Sequence, residues 1–307
     1  MPKVIPFPRE DLADTRRENY DALPPRLRSG DMLDPYCIEG EVARGGTAAI
    51  YRAHSAADGR VVALKVLSPH LGLVFEAVAR FKAEAKLAGR VRHPCVIPIY
   101  QTGKADGHYY FATELHSGET AEHLSAKTVS GGGDFYHHIA GLFAGVARAL
   151  DDLHGQGIVH RDVKPENLLV GEDGLLILCD FGSALDSRNR SPILERTLWG
   201  TPRYMSPEQF LSDADPYDPL NDVYALGLTL YEIVTEAPAF PKWSLKNLVH
   251  FKLTRRPPVP RHINSDIPLG LDAIIRQAIE PNPRMRYLSM HDLAEDLERF
   301  ATLQRGR

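Results

Sequence analysis

The chain has 307 residues, 43% hydrophobic and 25% charged, which excludes disordered, collagenous and membrane-embedded classes and leaves an ordinary globular protein. Lys plus Arg number 36 against 40 Asp plus Glu, a formal charge of -4, so no overall electrostatic argument favours nucleic acid or an anionic membrane. Cys37, Cys95 and Cys179 are too scattered for a disulfide framework or a zinc site and read as reduced thiols. No stretch approaches the roughly 18 apolar residues of a membrane span, the start lacks the apolar run of a signal peptide, and the expected location is the cytoplasm.

Residues 1 to about 35 mix prolines and charges without periodicity ("PFPRE", "DALPPRLRSGD") and read as a flexible or surface-hugging extension outside the core. From Tyr36 short apolar runs alternate with turns: "YCIEGEVA", "AAIYRAHS", a hairpin turn at "ADGR", then "VVALKVL", as in consecutive antiparallel strands. The segment "LVFEAVARFKAEAKLAGRV" has helical spacing with basic residues toward its end. Further strands are predicted at "VIPIYQTG" and "HYYFATEL".

"SGGGD", residues 130–134, marks a surface loop before the long helical pattern "FYHHIAGLFAGVARALDDLHGQG". Helices are predicted again at "DPLNDVYALGLTLYEIVTEA", "LGLDAIIRQAIE" and "SMHDLAEDLERFATLQ". A strand-rich front and a helix-rich back predict two lobes of one α+β fold. The lobes would span about 36–115 and 116–302, with 303–307 as a tail.

"GIVHRDVKPENLLV" keeps its polar residues to no helical face and reads as a loop between buried anchors. Asp162 can accept or orient a hydroxyl proton, Lys164 can reach a phosphate, and Asn167 can offer a carbonyl oxygen to a hard cation. Further on, "LLILCDFG" is an apolar strand ending on Asp180, a second hard oxygen ligand. Together these functions describe phosphoryl transfer with magnesium.

"HRDVKPEN" followed by "DFG" resembles the catalytic and metal-binding loops of eukaryotic-type (Hanks-type) Ser/Thr protein kinases, here in a compact bacterial style. The resemblance covers roughly residues 36–302. "VALK" at 62–65 resembles the strand bearing the phosphate-binding lysine, Lys65, and "FKAEAKLAGRVRHP" the helix whose Glu84 pairs with it. "GTPRYMSPE" at 200–208 resembles the end of the activation segment, "NDVYALG" the central helix with Asp222, and "NPRMRY" the site of Arg286, partner of Glu208. The resemblance implies a small antiparallel lobe with one helix, a larger helical lobe, ATP, and Mg2+ (with Mn2+ as an alternative) on Asn167 and Asp180. It also implies an adenine site with Ala63 and Ile50 as roof, Leu169 and Cys179 as floor, Thr113 at the back, and Glu114, Leu115 and His116 offering backbone hydrogen bonds. Lys164 and Thr201, as the resemblance has it, favour Ser/Thr over Tyr as acceptor.

One stretch departs from the pattern. Where the family has a glycine-rich loop, this chain reads "ARGGTAAI": Ala43 and Ala48 replace the first and third glycines and Ile50 the valine. Phosphate can still meet backbone amides if Gly45 and Gly46 supply unusual dihedrals. The expected outcome is ATP binding that survives in weakened form. In the activation segment Ser191 and Thr197 are candidate phosphate acceptors among Arg188, Arg190 and Arg196, with Glu195 as a built-in negative charge beside Arg161.

The plainer readings are these. His160 is structural, because phosphoryl transfer leaves little for a further base. His137 and His138 face solvent, "KLTRRPPVPRH" at 252–262 is a surface loop, and Cys37 and Cys95 are half-buried thiols. The expected function is an ATP-dependent protein Ser/Thr kinase that also phosphorylates its own activation segment. Its control would come from a separate regulatory protein or from the N-terminal extension, since neither anchor nor sensor domain is evident. A nucleotide-binding scaffold without catalysis is the alternative motivated by Ala43 and Ala48.

Overall fold

A computed structural model describes residues 24–116, 118–125, 135–195, 200–241 and 243–302. The "SGGGD" loop, Arg196, Thr197, the first 23 residues and the tail lie outside the described residues. Contacts divide the described chain into two compact units: residues 24–92 with 97–116, and residues 93–96 with 118–302.

The first unit is a six-stranded antiparallel sheet, ordered β1-β2-β3-β4-β6-β5, with one long helix. Its strands are β1 (Met32–Leu33), β2 (Tyr36–Arg44), β3 (Ala48–Ser55), β4 (Val61–Leu67), β5 (Ile99–Ala105) and β6 (His108–Thr113). Because successive side chains alternate between faces, strand register sorts every residue. Ala49, Tyr51 and Ala53 of β3, Val62, Leu64 and Val66 of β4, and Tyr110 and Ala112 of β6 make one buried face, closed by Leu33, Tyr36 and Ile38. On the opposite face Ile50 pairs with Lys65, Lys65 with Phe111, and Ala63 with Thr113. Helix α1 (Phe75–Ala88) covers part of that second face, where Phe81 and Ala85 pack on Ala48, Leu67 and Phe111.

Two expectations are corrected here. The sheet begins before Tyr36: Leu33 is fully buried, Leu27 packs on the same cluster, and Pro24 lies against Gly107, so residues 24–35 belong to this unit's core and its covering. Prolines and charges hid the strand because β1 is only two residues long. Gly45 and Gly46 do not use positive φ, and a Cβ on either would meet no close neighbour. Ala48 turns its methyl into the α1 cluster. Its replacement of glycine is thus explained by packing. Ala48→Gly is expected to cost about 1 kcal/mol of stability through the lost core methyl and the freer backbone. Urea unfolding beside an ATP titration checks this, and the titration should show no gain in affinity.

The second unit is mainly helical. Helix α2 (Phe135–Gly155) packs on α8 (Met290–Thr302), and α4 (Leu220–Thr235) runs through the centre, where all but Leu220 and Glu232 are buried. A helix apolar on every side is suited to an interior position. Short strand pairs β7 (Ile158–Val159) with β10 (Leu185–Asp186), and β8 (Leu168–Val170) with β9 (Leu176–Leu178), frame the polar loop 160–167. The remaining helices are α3 (Pro192–Glu195), α5 (Leu245–Thr254), α6 (Pro260–Ile263) and α7 (Leu269–Ala278). Among the described residues no helix is long and apolar enough to cross a membrane.

Three surface expectations also change. His137 stacks on Phe300 at 4.6 Å and is half-buried, whereas His138 is exposed. Lys252, the first residue of the basic run, is fully buried. Cys95 is 2% exposed, and burial pushes its thiol up to about 11.

Candidate functional site

The first unit contributes a charged pair. Lys65 sits mid-strand in β4 on the face shared with Ile50 and Ala63, and its Nζ donates a 2.5 Å hydrogen bond to Glu84 Oε1 of α1. Glu84 is 7% exposed. A carboxylate is tolerated there because the ammonium meets it directly. Thr113, where β6 ends, is buried and its hydroxyl donates to the Glu114 and Ala63 carbonyls at 3.1 and 3.4 Å. Leu115 and His116 are half-buried beyond it, and Glu114 is exposed. Ala43 lies opposite Ile50 across the β2–β3 hairpin.

The second unit brings the loop residues together. Asp162, 7% exposed, accepts at Oδ1 from the Thr201 amide (2.8 Å) and at Oδ2 from Lys164 Nζ (2.9 Å) and Asn167 Nδ2 (3.1 Å). Lys164 also donates to Thr201 Oγ1 at 2.7 Å. Asn167 spends its amide nitrogen on Asp162, which leaves Oδ1 as the oxygen for a cation. The Cys179 amide and thiol both donate to the Asn167 carbonyl (2.9 and 3.4 Å), so the next residue, exposed Asp180, is held beside Asn167. This oxygen donor set fits Mg2+, which takes one or two protein oxygens and completes its octahedron with phosphates and water. Leu169 is half-buried in β8, and Leu168, not Leu169, pairs with Leu178.

Backbone strain marks the same residues. Arg161 (φ 68) and Asp180 (φ 59) are left-handed without being glycine, a conformation costing on the order of 1–2 kcal/mol each that the surroundings must sustain. Asp222, the first acid of α4 and fully buried, does so for Arg161: its two oxygens accept from the Arg161 amide (2.7 Å), the His160 amide (2.8 Å) and His154 Nε2 (2.8 Å). Burial pushes the Asp222 carboxyl up, but the His154 hydrogen bond, the charge environment of both histidines and the Arg161 amide outweigh it and hold the group below the usual carboxylate range. His160 is fully buried between Phe181, 4.8 Å away edge-on, and the Cys179 carbonyl, so its role is structural.

Gly200 makes the closest approach. Its φ is +121, and a Cβ there would fall 2.8 Å from the Arg161 carbonyl. Only glycine lets the segment reach the loop.

Arg161 is 5% exposed, and among the described residues its Nε and Nη1 have no hydrogen-bond partner. Burial pulls its pKa down against the opposing charge of Asp222. Glu195 does not supply the missing partner: its Oε1 accepts a 2.5 Å hydrogen bond from Tyr217, whose hydroxyl also accepts from the Ser191 amide at 3.3 Å. Burial and Glu195 push the Tyr217 phenol up to about 12. Tyr217 escaped sequence reasoning because only the fold sets it opposite Glu195.

Behind the site, Glu208 and Arg286 form a bidentate pair (2.6 and 2.7 Å), with the Arg286 side chain fully buried and 4.8 Å over the Tyr224 ring. Arg203 and the Tyr204 hydroxyl both donate to Glu232. His154 and Lys252 escaped sequence reasoning, since a lone polar residue in a helical pattern reads as solvent-facing until its partner is known.

A strand-borne lysine paired with a helical glutamate, and an Asp–Lys–Asn loop followed by a strand ending in Asp, is the equipment of a phosphotransfer domain. The family model "Protein kinase domain" matches residues 36–296, and the chain belongs to that family. It is 33% identical over 87% of its length to the serine/threonine-protein kinase PknH of Mycobacterium tuberculosis, 33% identical over 89% to PknD of the same species, and 33% identical over 87% to PknE of Mycobacterium bovis. It spans 42%, 40% and 46% of those relatives, less than half of each.

Proposed function

We propose that this protein transfers the γ-phosphate of ATP to Ser or Thr hydroxyls of proteins. The observation that carries the reading is the joint engagement of Asp162 by Lys164, Asn167 and the Thr201 amide. In this arrangement Asp162 orients the acceptor hydroxyl, Lys164 neutralises charge on the transferring phosphoryl group, and Thr201 closes the loop. Asn167 and Asp180 would hold Mg2+, which would supply positive charge against the phosphate groups. Lys65, kept in place by Glu84, serves the α- and β-phosphates, while Ile50, Ala63 and Thr113 on the same sheet face, with Glu114, Leu115 and His116, serve the adenine. The Gly45 amide is already donated to the Ala48 carbonyl at 2.9 Å, so in this loop Gly46, with Ala43 nearby, is the glycine proposed to offer its amide to phosphate.

Arg161 is the docking group for a phosphate on the activation segment, with Ser191 and Thr197 as candidate acceptors; its two unpartnered nitrogens among the described residues support this. Self-phosphorylation then adjusts activity, and a separate regulatory protein or the residues before Pro24 are the proposed sources of control. Lys65→Met, which leaves Glu84 buried without that ammonium, is expected to cut transfer about a hundredfold or more. Steady-state phosphate transfer beside fluorescent-nucleotide binding checks this, and unchanged transfer would remove Lys65 from the chemistry.

A further inference from the structure

Lysine is rarely buried completely, yet Lys252 of α5 has no exposed surface. Its Nζ donates a 2.6 Å hydrogen bond to the Met205 carbonyl and lies 4.4 Å from the Phe240 ring centroid and 5.0 Å from that of Tyr224. Burial holds its pKa well below the ordinary lysine value, with Glu232 and Glu208 opposing and Arg286 and Arg203 reinforcing that shift. An apolar side chain of the same size would fill this space at lower cost. What an apolar residue lacks is a donor for a backbone carbonyl.

That carbonyl belongs to the segment bordering Asp162. Thr201 gives its amide to Asp162, Arg203 and Tyr204 reach Glu232, and Met205 is held by Lys252, while Ser206 next to it bonds Gln209 and Asn221. Met205 also links the ends of this arrangement. Its Cε would meet a Cβ on Gly200 at 3.2 Å, and it shares an apolar cluster with Phe210 and Val249 of α5. Because Thr201 bonds Asp162 directly, a hydroxyl aligned by Asp162 comes up against this segment.

We propose that Lys252 is a positioning residue for the protein acceptor: by fixing the Met205 carbonyl it sets the course of residues 200–206, along which the acceptor lies. This rests on the protein-kinase reading above. Lys252 touches neither Asp162, Lys164 nor Asn167, so its removal acts on acceptor binding rather than on phosphate chemistry.

The test uses the full chain, wild type and Lys252→Met, with ATP, Mg2+ and myelin basic protein as acceptor. Losing that donor predicts a rise of about tenfold in KM for the acceptor, with KM for ATP and the slow hydrolysis of ATP by water changed by less than about twofold. The melting temperature stays level or rises, because a fully buried amine has been replaced by an apolar group. An unchanged acceptor KM in an active variant overturns this inference alone. A parallel fall in acceptor transfer and hydrolysis also overturns it, by assigning Lys252 a merely structural role. Wild type that labels nothing and hydrolyses nothing overturns the kinase reading and this inference with it. Should Lys252→Met fail to fold, Lys252→Gln carries the same measurements with the same criteria.

Discussion

Asp162→Asn is expected to lower phosphate transfer about a thousandfold while the protein stays folded and binds ATP. Both carboxylate oxygens act as acceptors, one toward the Thr201 amide and the other toward Lys164 and Asn167. A carboxamide has one acceptor oxygen, so its NH2 must confront either the Thr201 N–H or the Lys164 and Asn167 donors. The group that aligns the hydroxyl is lost and the loop around it is disturbed. The turnover number at saturating ATP, measured beside a thermal melt, checks this. A loss smaller than about tenfold would contradict the role given to Asp162.

Asp222→Ala is expected to destabilise the protein by about 3–5 kcal/mol, the scale of breaking a buried charged network from one side. The substitution leaves the His160 and Arg161 amides buried without their acceptor and removes the carboxylate that sustains the left-handed Arg161 backbone. His154 loses its partner as well. Urea unfolding measures the effect, and a loss below about 1 kcal/mol would contradict the account. The same carboxylate predicts a pH signature. Its pKa is depressed in the fold, so its stabilisation is fully present above the unfolded-state value of about 3.9 and is lost as pH falls from there through the folded-state value. Wild type should lose this stability in acid, and Asp222→Ala should show a shallower acid limb.

Strands β3 and β4 were legible because alternation in "AAIYRAHS" and "VVALKVL" follows from one covered face, and the "ADGR" turn between them fixes their pairing. The loop of Asp162, Lys164 and Asn167 was legible because its partners lie within a few residues, and the resemblance supplied the distant ones: Glu84 for Lys65 and Glu208 for Arg286. What stayed hidden shares one physical cause. His154 with Asp222, Tyr217 with Glu195 and Lys252 with Met205 meet only after folding, and each residue by itself looks like ordinary surface polarity in its local pattern. The departure at Ala48 was visible but its meaning was not, because a Gly-to-Ala change in a loop motif says nothing of a methyl seated under α1. The activation-segment reading puts Glu195 beside Arg161, whereas in the structure Glu195 accepts from the Tyr217 hydroxyl at 2.5 Å.

The alternative of a scaffold that binds nucleotide without catalysis was motivated by Ala43 and Ala48. Packing of Ala48 and the relaxed φ of Gly45 and Gly46 remove part of that motive, since this hairpin tip does not need glycine geometry. The central claim is that phosphate moves from ATP to protein hydroxyls, and the most direct measurement is transfer from radiolabelled ATP with Mg2+ to the chain itself and to a basic acceptor protein. The account predicts phosphoserine or phosphothreonine from wild type and none from Asp162→Asn or Lys65→Met. ATP binding by wild type with no label in itself or in the acceptor, or equal label in all three proteins, would contradict it.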